Sequence, residues 1–262
     1  MSDKPWWGEY SFENGQGRLW QLAGLELRFC RQPGEWQIEV LRQAEQQEDE
    51  HGWAFAPESH PALAGARLSR HLFRETRDCL RLLPRLADRP VVIKPVNPLF
   101  IAAGQQATLF VSTPVWASAW LEGLGKPILD IPVVHPSDTW FGSSPIRGQL
   151  AYATKVFCRT ELSQLPIRPF RAVTPVTILN DGNDTMPVER LCLPVPQLDL
   201  FSGTDSRLWT PGLRVERQAN TRIPRVVVES QRHPASGVVK RLTQARESDH
   251  SSLGSMFDLF FD

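Results

Sequence analysis

Histidine, serine and aspartate crowd together at His135-Pro136-Ser137-Asp138, followed by Thr139 and Trp140, with Ser143, Ser144 and Arg147 close behind. These are the side chains of nucleophilic hydrolysis, in which His takes the Ser proton and Asp orients the imidazole. The spacing argues against that chemistry. Such relays are assembled from distant parts of a chain, and no GxSxG elbow occurs. Pro136-Ser137-Asp138 suits a turn instead, because Ser and Asp side chains bond neighbouring backbone amides. The expectation is a turn on a binding loop, with His135, Asp138 and Trp140 as candidate ligand contacts rather than catalysts.

Metal chemistry has less to work with. The six histidines (His51, His60, His71, His135, His233 and His250) form no helical pair and stand beside no cysteine pair. His51 and His60 flank Glu45, Glu48, Asp49, Glu50 and Glu58, a charge run that reads as a solvated loop. AGQQ and GLGK lack the spacing of a phosphate-cradling loop, and Glu122 and Asp130 are isolated carboxylates. Neither a metal nor a cofactor is expected. Tryptophan offers a different chemistry. Trp116 and Trp120 are four residues apart, so on a strand they share a face. With Trp140 they could stack on a sugar or flat metabolite, although a Trp-rich core produces the same spacing.

Positioning these residues falls to strands. From Pro90 to Phe157 prolines punctuate short apolar runs: PVVIKP, NPLFIAAG, ATLFVSTPVWASAW, DIPVVHPSDTWFG and QLAYATKVF. Proline removes a ladder donor and fixes φ, so it belongs at strand starts, bulges and edges, and it argues against a helical scaffold. Arg18 to Leu22, Leu25 to Cys30 and Trp36 to Val40 alternate apolar and polar residues, with turns at Gly24 and Pro33-Gly34. Ala66 to Arg74 and Cys79 to Leu86 read as strands, since Pro84 interrupts any helix there. AVTPVTILN, the turn cluster Asn180 to Asp184, and TMPVERLCLPV read as a hairpin. QLDLF, RLWT and LRVERQ continue the meander, and Val226 to Glu229 is the last strand expected. The fold class is all-β, a β-sandwich architecture of one large or two packed antiparallel sandwiches with a flexible C-terminal tail. Residues 1–89 form an N-terminal meander domain, 90–229 a C-terminal sandwich, and 230–262 the tail.

The bulk properties agree with a folded core. The 262 residues are 41% apolar and 22% charged. Lys plus Arg equals Asp plus Glu at 29 each, which removes the positive field that nucleic acid or anionic lipid attracts. Cys30, Cys79, Cys158 and Cys192 are widely spaced and read as free, reduced thiols in a cytoplasmic protein. MSDKPWWGEY carries no signal segment, and no apolar run approaches the roughly 20 residues of a membrane span.

After Ser230 the chain turns polar and rich in small residues, which predicts a loosely attached tail. It ends in SMFDLFFD. Met256, Phe257, Leu259, Phe260 and Phe261 make an apolar tip on a polar tether, the pattern of a docking peptide. The spacing of Phe257, Phe260 and Phe261 suggests one amphipathic turn. The tip could dock on a partner or tuck back onto its own sandwich.

Four phrases carry a family resemblance: WWGEYSF, ADRPVVIKPVNPLFIAAGQQATLFVSTPVW, IPVVHPSDTWFGSSPIRGQLAYATK, and RPFRAVTPVTILN with ERLCLPVP. Together, over most of Trp6 to Glu229, they resemble the prokaryotic domain of unknown function 432 family. The resemblance supplies no catalytic residues. Members are often encoded beside small-conductance mechanosensitive channels, so it implies a channel-associated role. The leading expectation is a non-enzymatic, cytoplasmic protein that acts by binding another protein, with such a channel as candidate partner. The alternatives are a carbohydrate- or metabolite-binding sandwich using Trp116, Trp120 and Trp140, and a hydrolase using His135, Ser137 and Asp138.

Overall fold

A computed structural model describes residues 5–43, 52–95, 98–142, 146, 148–153, 157–217, 225–229 and 237–247. The first strands are β1 (Gly8–Ser11), β2 (Gly17–Leu22), β3 (Leu25–Gln32), β4 (Glu35–Arg42), β5 (Trp53–Ala56), β6 (Arg67–Leu72), β7 (Cys79–Arg85) and β8 (Val91–Ile93). There follow β9 (Leu99–Ile101), β10 (Gln105–Pro114), β11 (Trp116–Leu121), β12 (Leu129–Pro132), β13 (Ser137–Phe141), β14 (Gln149–Ala153), β15 (Phe157–Arg159) and β16 (Arg171–Asn180). The last are β17 (Met186–Val188), β18 (Leu191–Leu193), β19 (Leu200–Gly203), β20 (Leu208–Trp209), β21 (Gly212–Arg217), β22 (Arg225–Glu229) and β23 (Val238–Thr243). Among the described residues the only helical pieces are single 3-10 turns at Leu162–Gln164 and Val195–Gln197. The fold is all-β.

The chain divides into two compact units, Met1–Arg85 with Val115–His135, and Leu86–Pro114 with Pro136–Asp262. Residues 115–135 thus join the N-terminal strands, whereas the sequence reading sets them beyond a boundary at 89. In the first unit, one sheet runs β5-β2-β3-β4-β6 and another β1-β7-β11-β12. Aromatic rings fill the space between them. Tyr10 of β1 meets Trp20 of β2 at 4.9 Å and Phe55 of β5 at 5.2 Å, and Phe12 meets Trp36 of β4 at 4.9 Å. Arg42 of β4 crosses to the other sheet and donates to the carbonyls of Pro132 and Val133. Pro84 is tolerated inside β7 because β1 pairs only with Cys79 to Leu82, so a missing N–H breaks no bond on that side.

The second unit contains an eight-stranded sheet whose path is β15-β10-β16-β20-β19-β23, with β21 joining β16 to β22. Most pairings are antiparallel, while β8–β14, β16–β20 and β16–β21 are parallel. Pro175 lies within the long central strand β16. Its outer neighbour is β20 at Ala172 and Val173 and β21 from Val176 onward, so Pro175 falls in the gap between them.

Two expectations are corrected here. The strands flanking Asn180 to Asp184 exist but do not pair as a hairpin: β16 pairs with β10 over ten positions, β17 with β9, and β18 with β8. The buried Asn180 amide explains the divergence. Its Nδ2 donates to the carbonyls of Ile101 and Asp184, both at 2.8 Å, which ties the turn to β9. Nor is the chain after Ser230 simply a tail. Strand β23 pairs with β19, and Arg246 then donates from its backbone to Pro196 and from Nε to the carbonyl of Leu86. The apolar tip, Met256 to Phe261, and most of the acidic stretch before His51 lie outside the described residues.

Candidate functional site

Within the second unit a small sheet runs β13-β14-β8-β18, with β13 at its edge. Alternation sends successive side chains to opposite faces. One face is core: Phe141 and Ala151 pack with Val92 and Cys192. On the other, Asp138 sits opposite Tyr152 and Trp140 opposite Leu150. Trp140 is 45% exposed and Leu150 44%, and Ile146 in the connection between them is also exposed. All nine tryptophans lie among the described residues, and eight are buried or half-buried, so Trp140 alone presents its ring on the surface. Gly148 makes room for it: a Cβ there would sit 2.5 Å from the Phe141 carbonyl and 2.7 Å from the Trp140 Nε1.

Beside this apolar pair lies a charged cluster. Arg89 donates to the Asp138 carboxylate at 3.0 Å and stacks over the Tyr152 ring, and the Tyr152 hydroxyl donates to Asp88 at 2.9 Å. Burial first, and then the bond to Asp88, push the Tyr152 phenol up to about 12. Burial also raises Tyr10, the chain's other tyrosine. Both keep their protons in the folded state where an unfolded chain would lose them. For Tyr152 the stability this contributes is intact below pH about 10 and drains as the pH rises through about 12. Absorbance titration of Tyr10→Phe, whose one remaining tyrosine is Tyr152, should therefore show tyrosinate only above about pH 11. A signal already half developed at pH about 10 in that variant would mean that Tyr152 is exposed and not bonded to Asp88.

The structure separates the other residues singled out by sequence. Ser137 and Asp138 belong to strand β13 rather than a turn, so they project to opposite faces. A hydrolytic relay needs Asp138 on an imidazole; its Oδ1 instead receives Arg89. His135 is exposed and ends the first unit. Trp116 is 4% exposed, which withdraws its ring from any stacking platform, and Trp120 is half-buried beneath the Arg85 guanidinium. Glu122 pairs with Arg77 and Asp130 with Arg85. The pair Arg77–Glu122 also lines an open cavity of about 250 Å³ with Trp36, Thr76 and Leu121, a feature no motif announces. Among the described residues no three His, Cys, Asp or Glu side chains converge as metal ligands. All four cysteines are free; burial pushes the Cys158 thiol up to about 11 and Cys192 to about 12. Leu150, Tyr152, Asp88 and Arg89 were not expected at the site. The period of QLAYA could have put Leu150 and Tyr152 on one face, but not opposite Trp140.

The molecule is therefore an all-β protein of two units whose most distinctive surface is an aromatic–aliphatic pair beside an edge strand. The chain belongs to the family described as Protein of unknown function (DUF432), whose pattern it matches over residues 6–262. No curated protein and no solved structure matches the chain. No helix among the described residues is long and apolar enough to cross a membrane.

Proposed function

We propose that this is a non-enzymatic protein that acts by binding another protein, through the Trp140–Leu150 face and the C-terminal tip Met256 to Phe261. The single observation that carries the reading is the exposed Trp140–Leu150 pair next to the edge of β13. Interface energy concentrates in a few aromatic anchors, with Trp foremost. The ion pairs around it supply a polar rim. The partner we favour is a membrane channel or its soluble portion, as the family's resemblance implies, and the four free cysteines fit work in the reducing cytoplasm.

Capture from native membranes by the full chain, compared with Trp140→Ser/Leu150→Ser, tests this. Losing a hot-spot aromatic costs about 2 kcal/mol or more, so recovery of the specific partner should fall at least about 30-fold. The far-ultraviolet spectrum should not change, because both side chains are on the surface. Equal recovery by the two proteins would overturn the reading.

A further inference from the structure

The geometry points to a separate binding site in the first unit, for a small organic ammonium ion that carries an apolar body and one hydrogen-bond acceptor. It is the cavity of about 250 Å³ lined by strand β4, the loop between β6 and β7, and the turn after β11. All its residues belong to the first unit, and the site stands whether or not the Trp140–Leu150 face docks a partner. Its grounds are the volume, the charge and aromatic character of the wall, and a buried donor left without an acceptor.

Three parts of the chain build the cavity, and each is fixed in place. Strand β4 supplies Trp36, the loop from β6 to β7 supplies Phe73, Glu75 and Arg77, and the turn after β11 supplies Glu122 next to Leu121. The loop is pinned along its length. The Phe73 amide donates to the Gly34 carbonyl at 2.9 Å, Arg31 Nη2 donates to the Thr76 carbonyl at 2.7 Å, and the Thr76 hydroxyl donates to the Gln32 carbonyl at 2.8 Å. Gly123, at φ +83°, turns the chain after Glu122, and the Leu124 amide closes that turn on the Leu121 carbonyl at 3.3 Å. Arg77 and Glu122 then join loop to turn at 2.5 Å. A wall fixed before the ligand arrives has little freedom left to lose on binding.

Trp36 lines the cavity while being 0% exposed, which puts it at the inner end. Its indole N–H has no acceptor among the described residues. That group can only donate, and leaving it unsatisfied is unfavourable, so a ligand oxygen entering the cavity gains a bond there. Glu75 and Glu122 against Arg77 leave the wall one excess negative charge, and among the described residues Glu75 has no ion-pair partner. Carboxylates beside aromatic rings, here Trp36 and Phe73, are surroundings that hold an ammonium group. A metal ion suits them less, since no three ligating side chains converge among the described residues. An apolar cavity of about 150 Å³ takes up benzene. The larger volume here admits such a ring together with a short polar arm.

Nuclear magnetic resonance titration of the isotope-labelled full-length chain with L-phenylalaninol, an ammonium ion with a phenyl body and a hydroxyl acceptor, tests the site. The expected result is saturable binding in which the Trp36 indole N–H resonance moves downfield. L-phenylalanine, a zwitterion, and hydrocinnamate, an anion, should bind at least about tenfold more weakly, because the wall carries excess negative charge. Glu75→Gln/Glu122→Gln should raise the Kd for L-phenylalaninol at least about tenfold. Its far-ultraviolet spectrum should not change, since both side chains are exposed. No saturation by about 10 mM, equal affinity for hydrocinnamate, an unmoved Trp36 resonance, or an unchanged Kd in the double variant would each overturn the proposal. None of these readouts involves a protein partner, so failure here leaves the docking reading standing.

Discussion

Glu39→Ala is expected to lower the unfolding free energy by about 3–5 kcal/mol, because it strands a buried guanidinium. Glu39 of β4 sits directly across from Arg28 of β3, at 2.6 Å, with side chains 7% and 9% exposed. The pair is embedded in a wider network. Arg28 Nε donates to the His60 carbonyl at 2.7 Å, and the Leu63 amide donates to the second Glu39 oxygen at 2.6 Å. Truncation therefore orphans both the Arg28 charge and the Leu63 N–H. An exposed pair such as Arg89–Asp138 is worth only about 0–1 kcal/mol, which is why Glu39 carries the larger effect. Chemical denaturation measures the loss, and Arg28→Met/Glu39→Leu should recover most of it, since an apolar pair needs no counter-charge. A Glu39→Ala protein within about 0.5 kcal/mol of the parent would show that water reaches this pair.

The second large effect is expected at Asn180, where Asn180→Ala should cost about 2–4 kcal/mol. The side chain is fully buried, and its three bonds hold the chain where it leaves β16 for another sheet. Nδ2 satisfies the Ile101 and Asp184 carbonyls, and Oδ1 accepts from the Gly182 amide at 3.1 Å. Alanine removes the partner of two buried groups, the Ile101 carbonyl and the Gly182 amide, and of the Asp184 carbonyl in an exposed residue. Asn180→Asp should be worse still near neutral pH, because a carboxylate would face two carbonyl oxygens. Protonation gives that side chain a donor again, so its deficit should shrink as the pH falls. Denaturation at neutral and acid pH measures both variants. If the deficit of Asn180→Asp does not shrink on acidification, the two carbonyl contacts drop out of the account.

Much of the strand inventory is legible from the chain alone. The alternation around Leu19, Leu27 and Ile38 locates β2, β3 and β4 because the pleat has a period of two and one face must be buried. Prolines are equally informative. Pro84 and Pro175 exclude helix locally, and the sheet places each where a neighbouring strand is absent. Strand β23 was not legible: VVKRLT carries no sustained apolar face, and a strand added at the sheet edge is held mainly by backbone bonds that any sequence can make. The candidate site was half legible. Trp140 and Asp138 stand out by residue type, but Leu150 and Tyr152 became partners only through the register of β13 on β14.

Local chemistry is enough to specify the class of structure and many of the places where strands begin and stop, because backbone sterics and side-chain period act over a few residues. Which strands pair, and which tryptophan faces outward, is settled by long-range packing. Strand β16 chose β10, some seventy residues earlier, over the strand just after it, and Trp116 was buried while Trp140 was left outside. Such choices compare the packing of whole faces against one another, and no short stretch of chain contains that comparison.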